Sequence, residues 1–133
     1  MNDKTPLSLR IMAVVLFLFG IFAFLGSVFL WGEGFIFSFP AGISVAFPLT
    51  DILVNAPASL VAAVGLWTMK RFGYPASQFV AGFYIYASVY IFVELAENGP
   101  PYPLEILLPQ VLAVITAACL VVFGWRYKDR FQK

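Results

Sequence analysis

Seven polar side chains fall near matching ends of four apolar segments, and together they have the chemistry of a ligand site. They are Asp51, Asn55, Tyr90, Glu94, Glu97, Glu105 and Gln110. Carboxylate and amide oxygens suit a hard cation, a proton or an amine, and no lysine or arginine accompanies them at these ends. We therefore treat these residues as a candidate site for a cation or another small ligand.

Two prolines in the same layer add to the oxygen-rich character of this candidate site. Pro57 has no N–H to donate to the carbonyl of Leu53, and Pro109 has none for the carbonyl of Glu105. If helices already run through these positions, both carbonyls are freed beside carboxylates. Such a negative layer favours the ligand-site interpretation.

The same side chains also have a simpler interpretation as solvated helix ends. Asp51 and Glu105 fall where helices are expected to begin, and a helix dipole favours acids there. On a helical wheel Glu105 points about 140° away from Gln110, so the two cannot face one pocket together. Both interpretations stay open at the level of sequence.

The types of residue that are missing exclude several kinds of active site. The chain has no histidine and one cysteine, Cys119. Imidazole metal or haem ligation, a histidine-dependent nucleophile and a paired-cysteine redox centre are therefore excluded. We expect no catalytic residues, no metal and no cofactor.

The composition of the chain predicts a membrane protein. Of its 133 residues, 62% are apolar and 11% are charged, whereas soluble domains carry about 25% charged residues. A small globule cannot hide so much apolar surface from water, so the excess must face a lipid bilayer. This excludes a soluble enzyme, a nucleic-acid-binding protein, a disordered tail and a disulfide-rich secreted module.

Four apolar runs are long enough to cross a bilayer as helices, at about 11–31, 51–69, 76–95 and 104–125. The predicted fold is an all-α membrane protein, a four-transmembrane-helix up-down bundle forming a single domain over residues 1–133. The link at 70–75 predicts a tight turn in which Gly73 is the C-cap of the second helix. Three prolines in the link at 98–103 predict a stiff, non-helical connection.

The segment between the first two spans, residues 32–49, has a different pattern. Two β-branched and aromatic runs flank a Pro-Ala-Gly turn within residues 35–47, which predicts a short extracytoplasmic β-hairpin. A re-entrant or interfacial helix is the alternative interpretation of this segment.

The charges are sorted between the two sides of a four-span chain. All eight basic residues fall on one side, namely Lys4, Arg10, Lys70, Arg71, Arg126, Lys128, Arg130 and Lys133. Five of the seven acids fall on the other side, namely Glu33, Asp51, Glu94, Glu97 and Glu105. Short basic loops stay in the cytoplasm. We therefore predict a multi-pass protein of a plasma or inner membrane with both termini cytoplasmic and a basic tail at 126–133.

Small residues at helical spacing predict where the helices pack. The stripes are Ala13, Gly20 and Ser27 on the first span, Ala58, Ala62 and Gly65 on the second, and Ala113 and Ala117 on the fourth. Small side chains let membrane helices approach closely. On the third span an aromatic and acidic face runs from Phe79 to Glu97, and we expect Tyr86 and Tyr90 on it to reach Asn55 or Gln110.

Three functions are compatible with these observations. The first is a scaffold without catalytic machinery, either an accessory subunit of a larger membrane complex or a homo-oligomer building block. The second is a transporter, channel or ligand-binding protein that uses the polar cluster. The third is a membrane enzyme acting on a lipid or a quinone, with Glu94, Glu97 or Asp51 as acid or base. The missing catalytic residue types favour the first.

Overall fold

The computed structural model describes residues 5–32 and 46–131, and every regular element within them is helical. These described residues form five α-helices: α1 (Leu7–Gly32), α2 (Ala46–Thr50), α3 (Ala56–Thr68), α4 (Gly73–Asn98) and α5 (Leu104–Tyr127). A π-helical turn, Asp51–Asn55, joins α2 to α3 without a break, and a 3-10 turn, Lys128–Phe131, follows α5.

In the part of the chain that the structure describes, four helical stretches are long and apolar enough to cross a membrane: Leu7–Phe29, Pro48–Thr68, Gly73–Asn98 and Leu104–Phe131. The prediction of an all-α chain with four potential membrane spans is confirmed at this level. The second stretch runs from within α2 through the π-helical turn to the end of α3, and the three elements form one continuous helical segment. α4 has 26 residues and is about 39 Å long, which exceeds a typical hydrocarbon core.

The predicted β-hairpin receives no support. Residues 33–45, which hold most of it, lie outside the described residues, and residues 46 and 47 at its end begin α2 instead of a strand. Helical pairing of each carbonyl within its own segment satisfies the backbone without a partner strand, which suits the entry to an apolar span.

The helices pack in sequence order around the bundle. α1 packs along α3, α3 along α4 and α4 along α5, whereas α1 and α5 contact each other much less extensively. Most of the predicted packing residues are buried, namely Ala13, Gly20, Ser27, Ala62, Gly65 and Ala117, while Ala58 and Ala113 are half-buried. The sparse contact between α1 and α5 leaves a seam along one side of the bundle.

We call the end where α1 begins and α5 finishes the basic end. Its described cations are Arg10, Lys70, Arg71, Arg126, Lys128 and Arg130. The Arg10 guanidinium carbon lies 5.9 Å from the centroid of the Trp67 ring, and the Lys128 Nζ lies 4.1 Å from that of Trp125. Such cation–π pairs hold charges beside rings that anchor at a membrane surface.

The turn at the basic end between α3 and α4 differs from the sequence prediction. Met69, not Gly73, takes the left-handed conformation after α3, with φ of 54°. Gly73 is instead the first residue of α4, and a Cβ on it would overlap the backbone of Gly65. The prediction of Gly73 as a C-cap was therefore wrong, because this glycine provides space for two backbones to touch.

The face of α4 that packs inward is also not the aromatic one. Ser77, Tyr84 and Ser88 are buried, whereas Tyr86 and Tyr90 are exposed. Small serine side chains let α4 approach its neighbours, and the larger rings are left on the outer surface. The expectation that Tyr86 and Tyr90 reach into the bundle was therefore wrong.

Candidate functional site

The candidate site begins with the π-helical turn at the end of the bundle opposite the basic end, which we call the polar end. The Ala56 N–H donates to the carbonyl of Asp51, five residues earlier. Pro57 follows at once, and in a regular α-helix its ring would clash with the carbonyl of Leu53. The wider turn accommodates this proline, and single π-helical turns are frequent at functional sites.

A directed chain of hydrogen bonds ends on the Asp51 carboxylate. The Asn55 Nδ2 donates to Asp51 Oδ1 at 2.8 Å, and the Ser59 Oγ donates to Asn55 Oδ1 at 3.1 Å. The Tyr84 hydroxyl lies 2.8 Å from Ser59 Oγ. Because a serine has one hydroxyl hydrogen, which goes to Asn55, Tyr84 must be the donor in this last bond. These hydrogen bonds therefore connect the Tyr84 hydroxyl on α4 to the Asp51 carboxylate.

Two further contacts connect this end to α1 and α5. The side chain of Ser27, on α1, hydrogen-bonds the Asp51 carboxylate. The Ser88 Oγ lies 3.3 Å from both the backbone carbonyl and the Oε1 of Gln110. Among the described residues every buried side-chain nitrogen and oxygen has a partner, so these polar groups are compatible with an interior position.

A cavity of about 100 Å³ opens beside this network. Its polar wall consists of Asp51, Asn55, Tyr84 and Gln110. Its apolar wall consists of Phe19, Phe22, Ala23, Phe83, Ala87, Pro109 and Ala113. One carboxylate, two amides and a phenol therefore meet several aromatic rings around one space.

The cavity lies in the seam between α1 and α5. Phe22 and Ala23 line it from α1, and Pro109 and Ala113 line it from α5. Phe22 is 62% exposed, so the cavity wall continues onto the outer surface of the bundle. A molecule in this cavity would thus touch polar groups on its inner side and apolar side chains on its outer side.

The structure brings only some of the predicted site residues together. Asp51, Asn55 and Gln110 line the cavity, whereas Tyr90, Glu94, Glu97 and Glu105 do not. Tyr90 hydrogen-bonds Glu94 on the outer face of α4, and Glu97 and Glu105 are exposed. Of the four predicted carboxylates, only that of Asp51 therefore lies at the cavity wall.

Sequence reasoning missed three members of this network, Ser59, Tyr84 and Ser88. Ser59 follows Asn55 by four residues and Ser88 follows Tyr84 by four, so each pair shares a helical face. A signal was present, since two polar pairs at this spacing mark faces that turn away from lipid. The aromatic stripe through Tyr86 was the stronger pattern in the sequence, and it predicted the wrong inward face for α4.

The polar groups in this cavity wall are of types that can bind a ligand. Among the described residues no group of three histidine, cysteine, aspartate or glutamate side chains is close enough to hold a metal ion. A single carboxylate with amides and a phenol can orient one polar head group by charge and hydrogen bonds. The aromatic rings beside it can pack against an apolar or cationic body.

Comparisons of the chain with protein-family models, with curated proteins and with solved structures found no match. The class of protein is therefore defined by its fold and by its cavity. Within the described residues the chain has four helical stretches long and apolar enough to span a membrane, with a small polar-walled cavity at one end of their bundle.

Proposed function

We propose that this protein binds an amphiphilic small molecule at the polar end of its bundle. The head group of the ligand lies in the cavity against Asp51, Asn55 and Gln110, and its apolar body lies along the seam between α1 and α5. The observation that carries this proposal is the cavity itself, whose wall changes from polar to apolar within about 100 Å³.

The size of the cavity supports a bound head group with the remainder of the ligand outside. A buried cavity of about 150 Å³ holds one benzene ring, so a space of about 100 Å³ has room for about four non-hydrogen atoms. A longer molecule must extend through the exposed side, along Phe22. Lipid-facing aromatic and aliphatic side chains suit an alkyl chain there.

The proposal is tested with amphiphiles that share one alkyl chain and differ in head group, namely dodecylamine, dodecanol and dodecanoate. A ligand that binds only the folded state raises the melting temperature Tm with concentration. In mild detergent we expect at least one probe to raise the Tm of the wild-type protein. Ala113→Leu, which fills the cavity wall, should abolish this rise.

Ala118→Leu on the same helix is the matched control, because Ala118 is exposed and does not line the cavity. It should respond to the probes as the wild-type protein does. If no probe stabilises the wild-type protein, or if Ala113→Leu responds as strongly as Ala118→Leu, the cavity is not a binding site for amphiphiles.

A second candidate function is a scaffold that assembles with copies of itself. Tyr86 is 73% exposed near the middle of α4, a depth at which a hydroxyl gains from a partner on another helix. Gly82, one turn earlier, has open space around it and would allow a second helix to approach. If copies of the protein assemble through this face of α4, Gly82→Leu should reduce the oligomer mass measured in mild detergent. An unchanged mass would remove the support for this function.

We also propose that the basic end faces the cytoplasm, so that both termini are cytoplasmic. The support is the segregation of lysine and arginine at that end. Single cysteines introduced at Lys70 and at Gly99, in a Cys119→Ala background, test it with a membrane-impermeant thiol reagent on intact cells. We expect labelling at position 99 and protection at position 70, and the reverse pattern would invert the proposed topology.

A further inference from the structure

The carboxylate in the cavity wall has no cation near it within the described part of the chain. Among the described residues, the amide of Asn55 and the hydroxyl of Ser27 hydrogen-bond it. The described basic side chains all belong to the basic end. From Asp51 to the end of α3 at Thr68 the helical rise is about 25 Å, so the cations of the basic end lie far beyond ion-pair distance.

A negative charge in this position needs compensation. Taking a carboxylate out of water is strongly unfavourable unless an opposite charge or a proton accompanies it. Intramembrane acids accordingly pair with cations or line a pathway or cavity. The neutral hydrogen bonds from Asn55 and Ser27 orient the Asp51 carboxylate but do not cancel its charge.

We propose that the head group bound in this cavity is a primary ammonium, which supplies that missing positive charge. This inference rests on the proposed function, and it names the chemical class of its ligand. The ammonium donates to the Asp51 carboxylate, which has about four acceptor sites and uses only some of them for Asn55 and Ser27. Charge-assisted hydrogen bonds of this kind are short and strong.

The other wall of the cavity suits the same head group. Phe19, Phe22 and Phe83 line it, and the faces of aromatic rings attract cations that are withdrawn from water. A divalent metal ion fits less well, because it requires several oxygen ligands and usually more than one carboxylate. A primary ammonium requires one anionic partner and tolerates apolar neighbours on its carbon side.

A primary ammonium reaches this cavity from two sources, a water-soluble amine or the head group of a lipid. The seam between α1 and α5 favours the second, because its apolar surface continues outward from the cavity through Phe22. Propylamine represents the first source and dodecylamine the second, since they share the head group and differ in the chain.

The test compares the wild-type protein with Asp51→Asn and with Glu97→Gln, each titrated at neutral pH in neutral detergent while Tm is recorded. The probes are dodecylamine, dodecanol, dodecyltrimethylammonium and propylamine. Glu97→Gln is the matched control, because it also converts an acid into its amide but lies outside the cavity. We expect the wild-type protein and Glu97→Gln to bind dodecylamine about tenfold or more tightly than dodecanol. This difference in affinity is what one hydrogen bond to a charged group contributes.

In Asp51→Asn this preference for dodecylamine should disappear while the response to dodecanol remains. The retained response to dodecanol shows that the variant is folded and that its cavity is intact. We expect weaker binding of propylamine, because it lacks the chain, and of dodecyltrimethylammonium, because it has no N–H to donate.

The outcomes separate this inference from the proposed function. If dodecanol and dodecylamine bind equally well, the protein binds amphiphiles but the ammonium inference is wrong, as expected if Asp51 carries a proton instead. If dodecyltrimethylammonium binds as tightly as dodecylamine, the cavity accepts cations in general, and the assignment of a primary ammonium is wrong. If propylamine binds as tightly as dodecylamine, the ammonium inference stands and the amphiphile proposal falls.

Discussion

The two ends of this bundle are built on opposite principles. At the basic end Leu9, Leu66 and Phe131 are almost completely buried, and Gly65 and Gly73 bring two helix backbones into contact. At the polar end the interior holds a carboxylate, amides and hydroxyls, and a cavity remains among them. One end is closed by packing, and the other is held by hydrogen bonds around a space.

If the proposed ligand binds at the polar end, this difference places the residues for stability and the residues for binding at opposite ends of the bundle. Membrane helices gain little from hydrophobicity against one another, so close van der Waals packing must hold them together. Glycine contacts at the basic end supply this packing. The polar end can then tolerate a π-helical turn, an internal proline and unfilled volume, because the helices are already held at their other end.

The largest effect is expected where this packing is broken. Gly73→Ala places a Cβ against the backbone of Gly65, which cannot move aside as a flexible side chain can. Overpacking of this kind costs about 1–3 kcal/mol, occasionally more. The free energy of unfolding, measured by titration with a denaturing detergent, should fall accordingly.

Gly82→Ala on the same helix is the control for that change. A Cβ on Gly82 meets no atom of the described residues within 4 Å, so within one copy of the chain only helix propensity changes, in favour of alanine by up to about 1 kcal/mol. Equal effects of the two substitutions would contradict the view that the basic end carries the packing.

A smaller effect is expected from breaking the hydrogen-bond chain at the polar end. Ser59→Ala and Tyr84→Phe each remove one hydroxyl of the pair that lies 2.8 Å apart. In a double-mutant cycle we expect a coupling free energy of about 0.6–1.7 kcal/mol, the range found for hydrogen bonds between membrane helices. A coupling of zero would mean that the two hydroxyls do not act together in the folded protein.

The sequence predicted the parts of this molecule that depend on composition and on spacing within one helix. Apolar run length predicts the four spans, and the four-residue spacing of Asp51 and Asn55 correctly suggested one shared face. The inward face of α4 was missed because both Tyr84 and Tyr86 lie in plausible stripes, and only contact with α3 and α5 selects one. The role of Gly73 was missed for the same reason, since a glycine near a turn suits a cap as well as a close helix contact.

The smallest effect is expected from a glycine at the polar end, and it sharpens the comparison because the chemical change is the same as at Gly73. A Cβ on Gly26, near the end of α1, meets no atom of the described residues within 4 Å, whereas one on Gly20 of the same helix lies 3.0 Å from the Leu60 side chain. Gly26→Ala should therefore raise the free energy of unfolding by up to about 1 kcal/mol through helix propensity alone. Gly20→Ala should raise the free energy of unfolding by less, because the Leu60 side chain must shift to make room for the new Cβ. If Gly26→Ala proved as destabilising as Gly73→Ala in the same titration, α1 would be packed as tightly at the polar end as α4 is at the basic end, and the contrast between the two ends would be wrong.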